Sequence, residues 1–531
     1  MEIEYGGVEA PRSPLGIERA NGRSLLLPEK GRARWKVSRR LLVQIFAAGI
    51  FVVLVVSLIS CASRAQPVQR SIPSVCRDSP RKPHQIRNVV FMIPDGMGPY
   101  YVKLTKGAMK LLGHDDDSMT LDRIIHGSVR TGSLSPEVTD SAAAATAYAT
   151  GARTFNQNVS VINGKLMPTV LEGAEGVGMW TGLVTTARIT HATPAAFSAH
   201  VSDRNKENDI AEQQLEQGIE LLMGGGRQHF LPKGESGSKR EDDRDMEAYA
   251  REKGYNLIHT EEELHSAMIP ALGLFSPSHM AFEMDRERLR TEQPSLAQMT
   301  RRALQLLAAA PDGFFLMVEG GRIDHAGHMN DPVAAVHEVL AYDEAVAEVL
   351  KFAAWDNSTL VISAADHETG GLFQGENEFP DYAALAGISS SMEALADEFH
   401  RAVRAVGKPD EEAAARKVLR MAGVPDANLT SEEVSSLIEV ADEVGIEYLE
   451  GGLPLKLGEA ISRVLHVNWT TSHHTDVDVS LGVFGGESLR IKNNIDNSEL
   501  GDAVIEALRV DPWKGHSFTH GSSSEDDCNL A

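Results

Sequence analysis

The chain has 531 residues, of which 42% are apolar and 24% charged, with a formal net charge of −24. That composition supplies a large core and excludes a wholly disordered, collagen-like or multi-span membrane protein. The acidic balance excludes nucleic acid as the main partner, and three cysteines (Cys61, Cys76 and Cys528) exclude a disulfide-framed fold or a four-thiolate zinc site.

Residues 1–40 read as a polar tail, with six Lys/Arg between Lys30 and Arg40. Leu41 to Ser63 carries no charge and is long enough for one bilayer crossing. Only three basic residues follow in 63–77, so the positive-inside rule predicts a single-pass anchor with a cytoplasmic N-terminus and the bulk of the chain across the membrane. Two alternatives fit less well. The 40-residue basic tail is long for a cleaved signal peptide, and it also argues against reading Leu58-Ile59-Ser60-Cys61 as a lipoprotein signal. Sequons at Asn158, Asn357, Asn428 and Asn468 all fall on the translocated side. In an oxidising compartment a Cys76–Cys528 bridge is open to the chain.

Residues 64–85, rich in Pro, Ser and Arg, read as a linker. From there apolar runs alternate with helical periodicity: Asn88–Ile93, Gly178–Thr185, Gly313–Val318, Thr359–Ala364 and Val479–Phe484 suit strands buried on both faces. The clearest helix is Val333–Ala354, behind Pro332. The pattern predicts an α/β fold: a mostly parallel central sheet flanked by helices over 86–512. The Ala-, Glu- and Leu-rich stretch 380–465 is expected to be a helical insertion, and 513–531 a disordered tail.

Ligands of parallel sheets collect beyond the strand carboxyl ends. Asp95 follows the first run, Glu319 and Asp324 follow GFFLMV, and Asp366-His367 follow TLVISA. Carboxylates gathered at one sheet edge repel, and a bound cation relieves that repulsion. Asp324 and His328 are four apart, as on one helical face, and make a good zinc donor pair; a solvated polar loop is the alternative. Ser472-His473-His474 offers a late imidazole. Ser141 precedes an Ala-rich run ended by Gly151, which places it at a helix N-terminus, either as a cap or as a nucleophile whose alkoxide the helix favours. Arg204 closes the segment from Thr190 and is a candidate phosphate clamp.

Together, NVVFMIPDGMG, TDSAAAATAYATG, THATPAAFSAHVSDR, MGGGR, FFLMVEGGRIDHAGH, TLVISAADHETGG and HHTDVDV resemble, in chain order, the alkaline phosphatase family over roughly residues 88–485, and with the N-terminal anchor the fungal vacuolar type. The resemblance implies a three-layer sandwich and hydrolysis of small phosphate monoesters of broad range through a phosphoserine on Ser141, with Arg204 binding phosphate. It implies two Zn2+ and one Mg2+. One zinc takes Asp324, His328 and His474, preferred to His473 because the family's ligand stands just before this pattern and strand. The second takes Asp95, Asp366 and His367. The magnesium takes Asp95, Thr193 and Glu319. His191 and His325 stand near the third site where bacterial members often carry Asp and Lys. A homodimer and a vacuolar membrane location are also implied. Rival readings are a phosphodiesterase, sulfatase or phosphomutase of the same superfamily, or a catalytically silent membrane-tethered binding protein. In an acidic lumen, protons competing for the histidine ligands are expected to reduce activity steeply below about pH 6.

Overall fold

The structure is a computed structural model that describes residues 86–376, 378–443, 452–486 and 491–513. The tail, anchor and linker expected over 1–85, the three cysteines and the tail beyond 513 lie outside the described residues. Among the described residues, no helix is long and apolar enough to cross a membrane.

The core is a ten-stranded sheet. In chain order its strands are β1 (Asn88–Ile93), β2 (Ile125–Arg130), β3 (Trp180–Arg188), β4 (Leu221–Gly225), β5 (Asn256–Ile258), β6 (Ala271–Leu274), β7 (Phe314–Glu319), β8 (Thr359–Ala364), β9 (Val479–Phe484) and β10 (Asn494–Asp496). The spatial order is β10-β2-β9-β8-β1-β7-β3-β4-β6-β5. β1, β7 and β8 are buried along their whole length because helices cover both faces, which is why their sequences are continuously apolar rather than alternating. β4, β5, β6 and β10 are short, and β2 is polar (IHGSVR) with exposed positions, so none of these stands out by hydrophobicity.

One expectation is corrected. β9 runs antiparallel to both neighbours, β8 and β2, and three of its six residues are only half-buried. The reversal has a consequence for the site. β8, β1, β7 and β3 are adjacent and parallel, so their carboxyl ends share one edge of the sheet. The amino end of β9 reaches that same edge, and His474 lies just before it.

Pro332–Asp356 forms the predicted long helix, with Pro332 in its first turn and the Asp331 side chain accepting from the amides of Val333 and Ala334. The segment expected to be helical contains Tyr382–Gly387, Met392–Arg404, Glu411–Met421, Ser431–Glu443 and Leu453–Val464. The Ala-rich helix Ser141–Thr150 ends at Gly151 in the left-handed region, φ 72°. Its alanines reflect packing as well as propensity: a Cβ at Gly501 of a neighbouring helix would meet the Ala147 carbonyl oxygen at 2.3 Å.

Candidate active site

Each strand at the shared edge contributes. Asp95 follows β1, Glu319 ends β7, Asp324 and His328 lie in the helix Arg322–His328 after it, and Asp366-His367 follow β8. Thr193 lies in the helix Ala192–Ser198 after β3, with His191 as its N-cap. Asp95, Thr193, Glu319, Asp366 and His367 have no exposed surface, and Asp324 is 3% exposed. Close approach of the loops requires Gly96, at φ 74°, where a Cβ would sit 2.7 Å from both the Asp324 Cα and the Thr369 Oγ1.

His474 is separated from His367 by the whole helical segment. A two-residue antiparallel pairing, Glu368–Thr369 against His474–Thr475, closes that gap. The rings of His367 and His474 stack at 3.5 Å between centroids. His473 is exposed, and it is His474 that joins a converging donor group.

Ser141 is the first residue of its helix and 1% exposed. The cap is Asp140, whose carboxylate accepts from the Ala143 amide at 3.0 Å. That removes the alternative in which Ser141 serves only as a cap. Its hydroxyl instead faces the His367 Nε2 at 3.2 Å. Arg204 donates to the Asp140 Oδ2 at 3.2 Å and to the His191 Nε2 at 3.1 Å, so the guanidinium stands beside the serine helix.

Whether these residues suit cations is answered by their unpaired atoms. Asp95 Oδ1, Asp366 Oδ2 and Glu319 Oε1 are buried without a hydrogen-bond partner. A buried carboxylate oxygen left alone is costly, and a cation is the fitting partner. The His328 Nδ1 faces the Ser472 carbonyl oxygen at 2.6 Å, and the His474 Nδ1 faces the Thr139 carbonyl oxygen at 3.0 Å. A carbonyl only accepts, so each Nδ1 carries a proton and directs Nε2 inward. The two Nε2 atoms lie 3.1 Å apart, at 3.3 and 3.6 Å from Asp324. Donor groups of Asp324, His367 and His474, of Asp95, Asp366 and His367, and of Asp95, His191 and Glu319 each converge within 4.8 Å.

Charge follows the same plan. Burial, then the neighbouring Asp366, pushes Asp95 well above the usual carboxylate range. Burial also raises Glu319, and raises Asp366 to about 7. Burial opposes charge on His328, but the Asp324 carboxylate lifts it to about 9. Burial pushes Asp324 up, but the facing imidazoles of His328, His474 and His367 together hold it well below its ordinary value. Burial thus disfavours the anionic forms of Asp95, Asp366 and Glu319, a cost that a cation would offset.

Several neighbours escaped the sequence reading. Asp140 holds Arg204, Thr369 donates to the Asp324 Oδ1 at 2.5 Å, and His279, Arg188 and Arg322 surround His191 and His325. Asp140 sits next to Ser141 in the sequence, but nothing about SPSHM singles out His279.

A serine held beside an arginine, in a pocket whose buried oxygens call for cations, belongs to a metal-dependent phosphotransfer enzyme. Comparison narrows that class. The family profile described as Alkaline phosphatase matches residues 86–510. The Saccharomyces cerevisiae repressible alkaline phosphatase is 36% identical over 474 residues, covering 80% of this chain and 82% of its own length. The Schizosaccharomyces pombe alkaline phosphatase is 34% identical over 522 residues and covers 92% of each chain. The solved Thermus thermophilus alkaline phosphatase superposes with a TM-score of 0.71 at 31% identity, covering 80% of this chain and 92% of that one. The chain belongs to the alkaline phosphatase family.

Proposed function

We propose that Ser141 is the phosphorylated nucleophile of this phosphate monoesterase and that Arg204 binds the phosphoryl group. As a member of its family the chain is a metal-dependent enzyme that hydrolyses phosphate monoesters. The observation that carries the residue assignment is Ser141 Oγ, released from capping by Asp140 and aimed at His367 Nε2, amid the unpaired oxygens of Asp95, Asp366 and Glu319.

Asp324, His328 and His474 would hold one zinc ion, Asp95, Asp366 and His367 a second, and Asp95, Thr193 and Glu319 a magnesium ion. Bound there, such cations favour the serine alkoxide and offset charge on the phosphoryl group. The chain's own residues do the rest. Ser141 Oγ bonds to phosphorus as the alcohol departs, with the helix N-terminus favouring the developing charge. Water then displaces Ser141 and inorganic phosphate is released. The planar guanidinium of Arg204 matches two phosphoryl oxygens at once, and Asp140 keeps it aimed. Since these contacts concern the phosphoryl group rather than the alcohol, a broad range of monoesters fits.

Ser141→Ala tests the assignment: turnover should fall at least about a thousandfold while inorganic phosphate still binds. Unchanged turnover, or retained labelling by a 32P-monoester, would remove Ser141 from its role.

The same reading places Leu41–Ser63 in a membrane, with the catalytic part lumenal and the vacuolar membrane as its site. The uncharged stretch and the six upstream basic residues support it. Protease protection in sealed vesicles should leave residues beyond Ser63 intact; cleavage there would reverse the orientation. A homodimer with glycans at its sequons completes this reading, and sedimentation before and after glycosidase treatment tests both.

A further inference from the structure

Arg322 begins the short helix that carries Asp324 and His328, and it is 2% exposed. Its guanidinium lies over the Phe282 ring at 3.8 Å. One arm donates to the His325 Nδ1 at 2.9 Å, and the other meets the Glu393 Oε2 at 2.5 Å. A buried guanidinium needs a counter-charge, and Glu393 is its only ion-pair partner among the described residues.

Glu393 comes from the far-removed helical segment, in the first turn of Met392–Arg404. Two buried carboxylates pin the start of that helix. The Ser391 hydroxyl donates to the Asp285 Oδ2 at 2.5 Å, and the Met392 amide donates to the Asp331 Oδ2 at 2.7 Å. Glu393 therefore has a fixed origin and an inward target.

The guanidinium only donates, so the His325 Nδ1 must accept, and the ring proton is on Nε2. That Nε2 has no hydrogen-bond partner among the described residues. The ring lies edge-on to His191, with centroids 5.6 Å apart, and His191 is the imidazole that Arg204 contacts.

We propose that Glu393 is a positioning residue for phosphate-ester hydrolysis: through Arg322 it holds His325 as an Nε2–H donor on the Arg204 side of the site. The helical segment thereby takes part in the active site without touching it. This rests on the assignment of Ser141 and Arg204 above and adds a route by which a remote segment tunes phosphate affinity.

A double-mutant cycle on the full chain tests it, with p-nitrophenyl phosphate as substrate and inorganic phosphate as inhibitor. Glu393→Gln should raise KM and weaken phosphate inhibition by roughly three- to tenfold, with kcat and zinc content nearly unchanged. Glu393→Asp should recover part of the loss, and it stands in if Glu393→Gln folds poorly. In a His325→Ala background the same change should have almost no further effect. A full loss repeated in that background, or lost zinc, overturns the relay. So does an intact phosphate affinity in both Glu393 variants. Wild-type protein without chelator-sensitive monoesterase activity would instead bring down the functional reading itself, before Glu393 is tested.

Discussion

Two groups of histidines stand around the site, one linked to Ser141 through His367 and the other to Arg204 through His191, and they are built for opposite tasks. His328 and His474 back onto carbonyl oxygens, while His191, His279 and His325 back onto arginines. A carbonyl fixes the proton on the nitrogen it faces and frees the other lone pair for a cation. A guanidinium N–H does the reverse for His191 and His325, leaving the other nitrogen protonated; on His279 the Arg188 amide faces Nδ1 and the Arg188 guanidinium faces Nε2, so donors stand at both ring nitrogens. The three arginine-backed imidazoles converge closely enough to pass for a metal site. Yet arginine N–H groups face all three, and each has a nitrogen already taken by a donor. The lesson is that proximity of imidazoles does not make a ligand set; the partner of the second nitrogen does.

The strongest way to break this contrast is to remove ligands from the first group. Asp324→Asn or His328→Ala should lose bound zinc and reduce turnover by at least about a thousandfold, read by metal analysis beside a monoesterase assay. Chelation of the wild type should give the same loss, reversed by adding zinc. If turnover survives with no metal bound, the first group is not a cation site.

A proton count sharpens the comparison. In the metal-free protein His328 titrates at about 9, so at pH 7 it carries a proton that a bound cation must displace. Calorimetry in buffers of different ionisation enthalpy should show at least about one proton released at pH 7, with His328 among the sources. Between pH 9 and pH 7 apparent zinc affinity should fall at least about tenfold per unit. The same competition makes activity drop steeply below about pH 6. A flat affinity profile would contradict the pairing of His328 with Asp324.

The second group should respond more mildly. His279→Asn is expected to leave metal content unchanged and alter kcat/KM by less than about tenfold. Loss of a metal equivalent in that variant would turn the arginine-backed cluster into a ligand set after all.

The smallest effect concerns carboxylates that are buried without needing a cation. Asp366 has an unpaired oxygen, whereas the Glu338 Oε1 accepts from the Glu283 amide at 2.6 Å. Burial raises Glu338 to about 8. Its folded value exceeds the unfolded one, so the group favours the fold least once pH passes from about 4.5 toward 8. Glu338→Gln, which keeps the acceptor, should be neutral at pH 4 and stabilising by a few kcal/mol at pH 8, on the order of 1.4 kcal/mol for each pH unit of the rise, measured by thermal unfolding.

The primary structure alone determined a good deal. Continuous apolar runs marked β1, β7 and β8 because strands covered on both faces have no polar side to alternate. The gathering of the carboxylates directly after those runs was legible, since parallel strands deliver their ends to one edge. Ser141 was legible as a helix start because the Ala-rich run and Gly151 bracket it. β2 and β10 were not legible, because a polar or three-residue strand gains its place by pairing with neighbours rather than by its own hydrophobicity.

Only the tertiary structure decided the rest. It assigned the cap to Asp140 and left Ser141 free, a distinction of one residue that composition does not resolve. It reversed β9, so that a residue preceding a strand meets residues that follow one. It joined His367 to His474 across more than a hundred positions through a two-residue pairing. It also sorted the histidines into those with an inward lone pair and those already met by a donor. Covalent order records that a residue is an imidazole, but the proton's position depends on which atom stands behind the ring, and that atom arrives only when the chain folds.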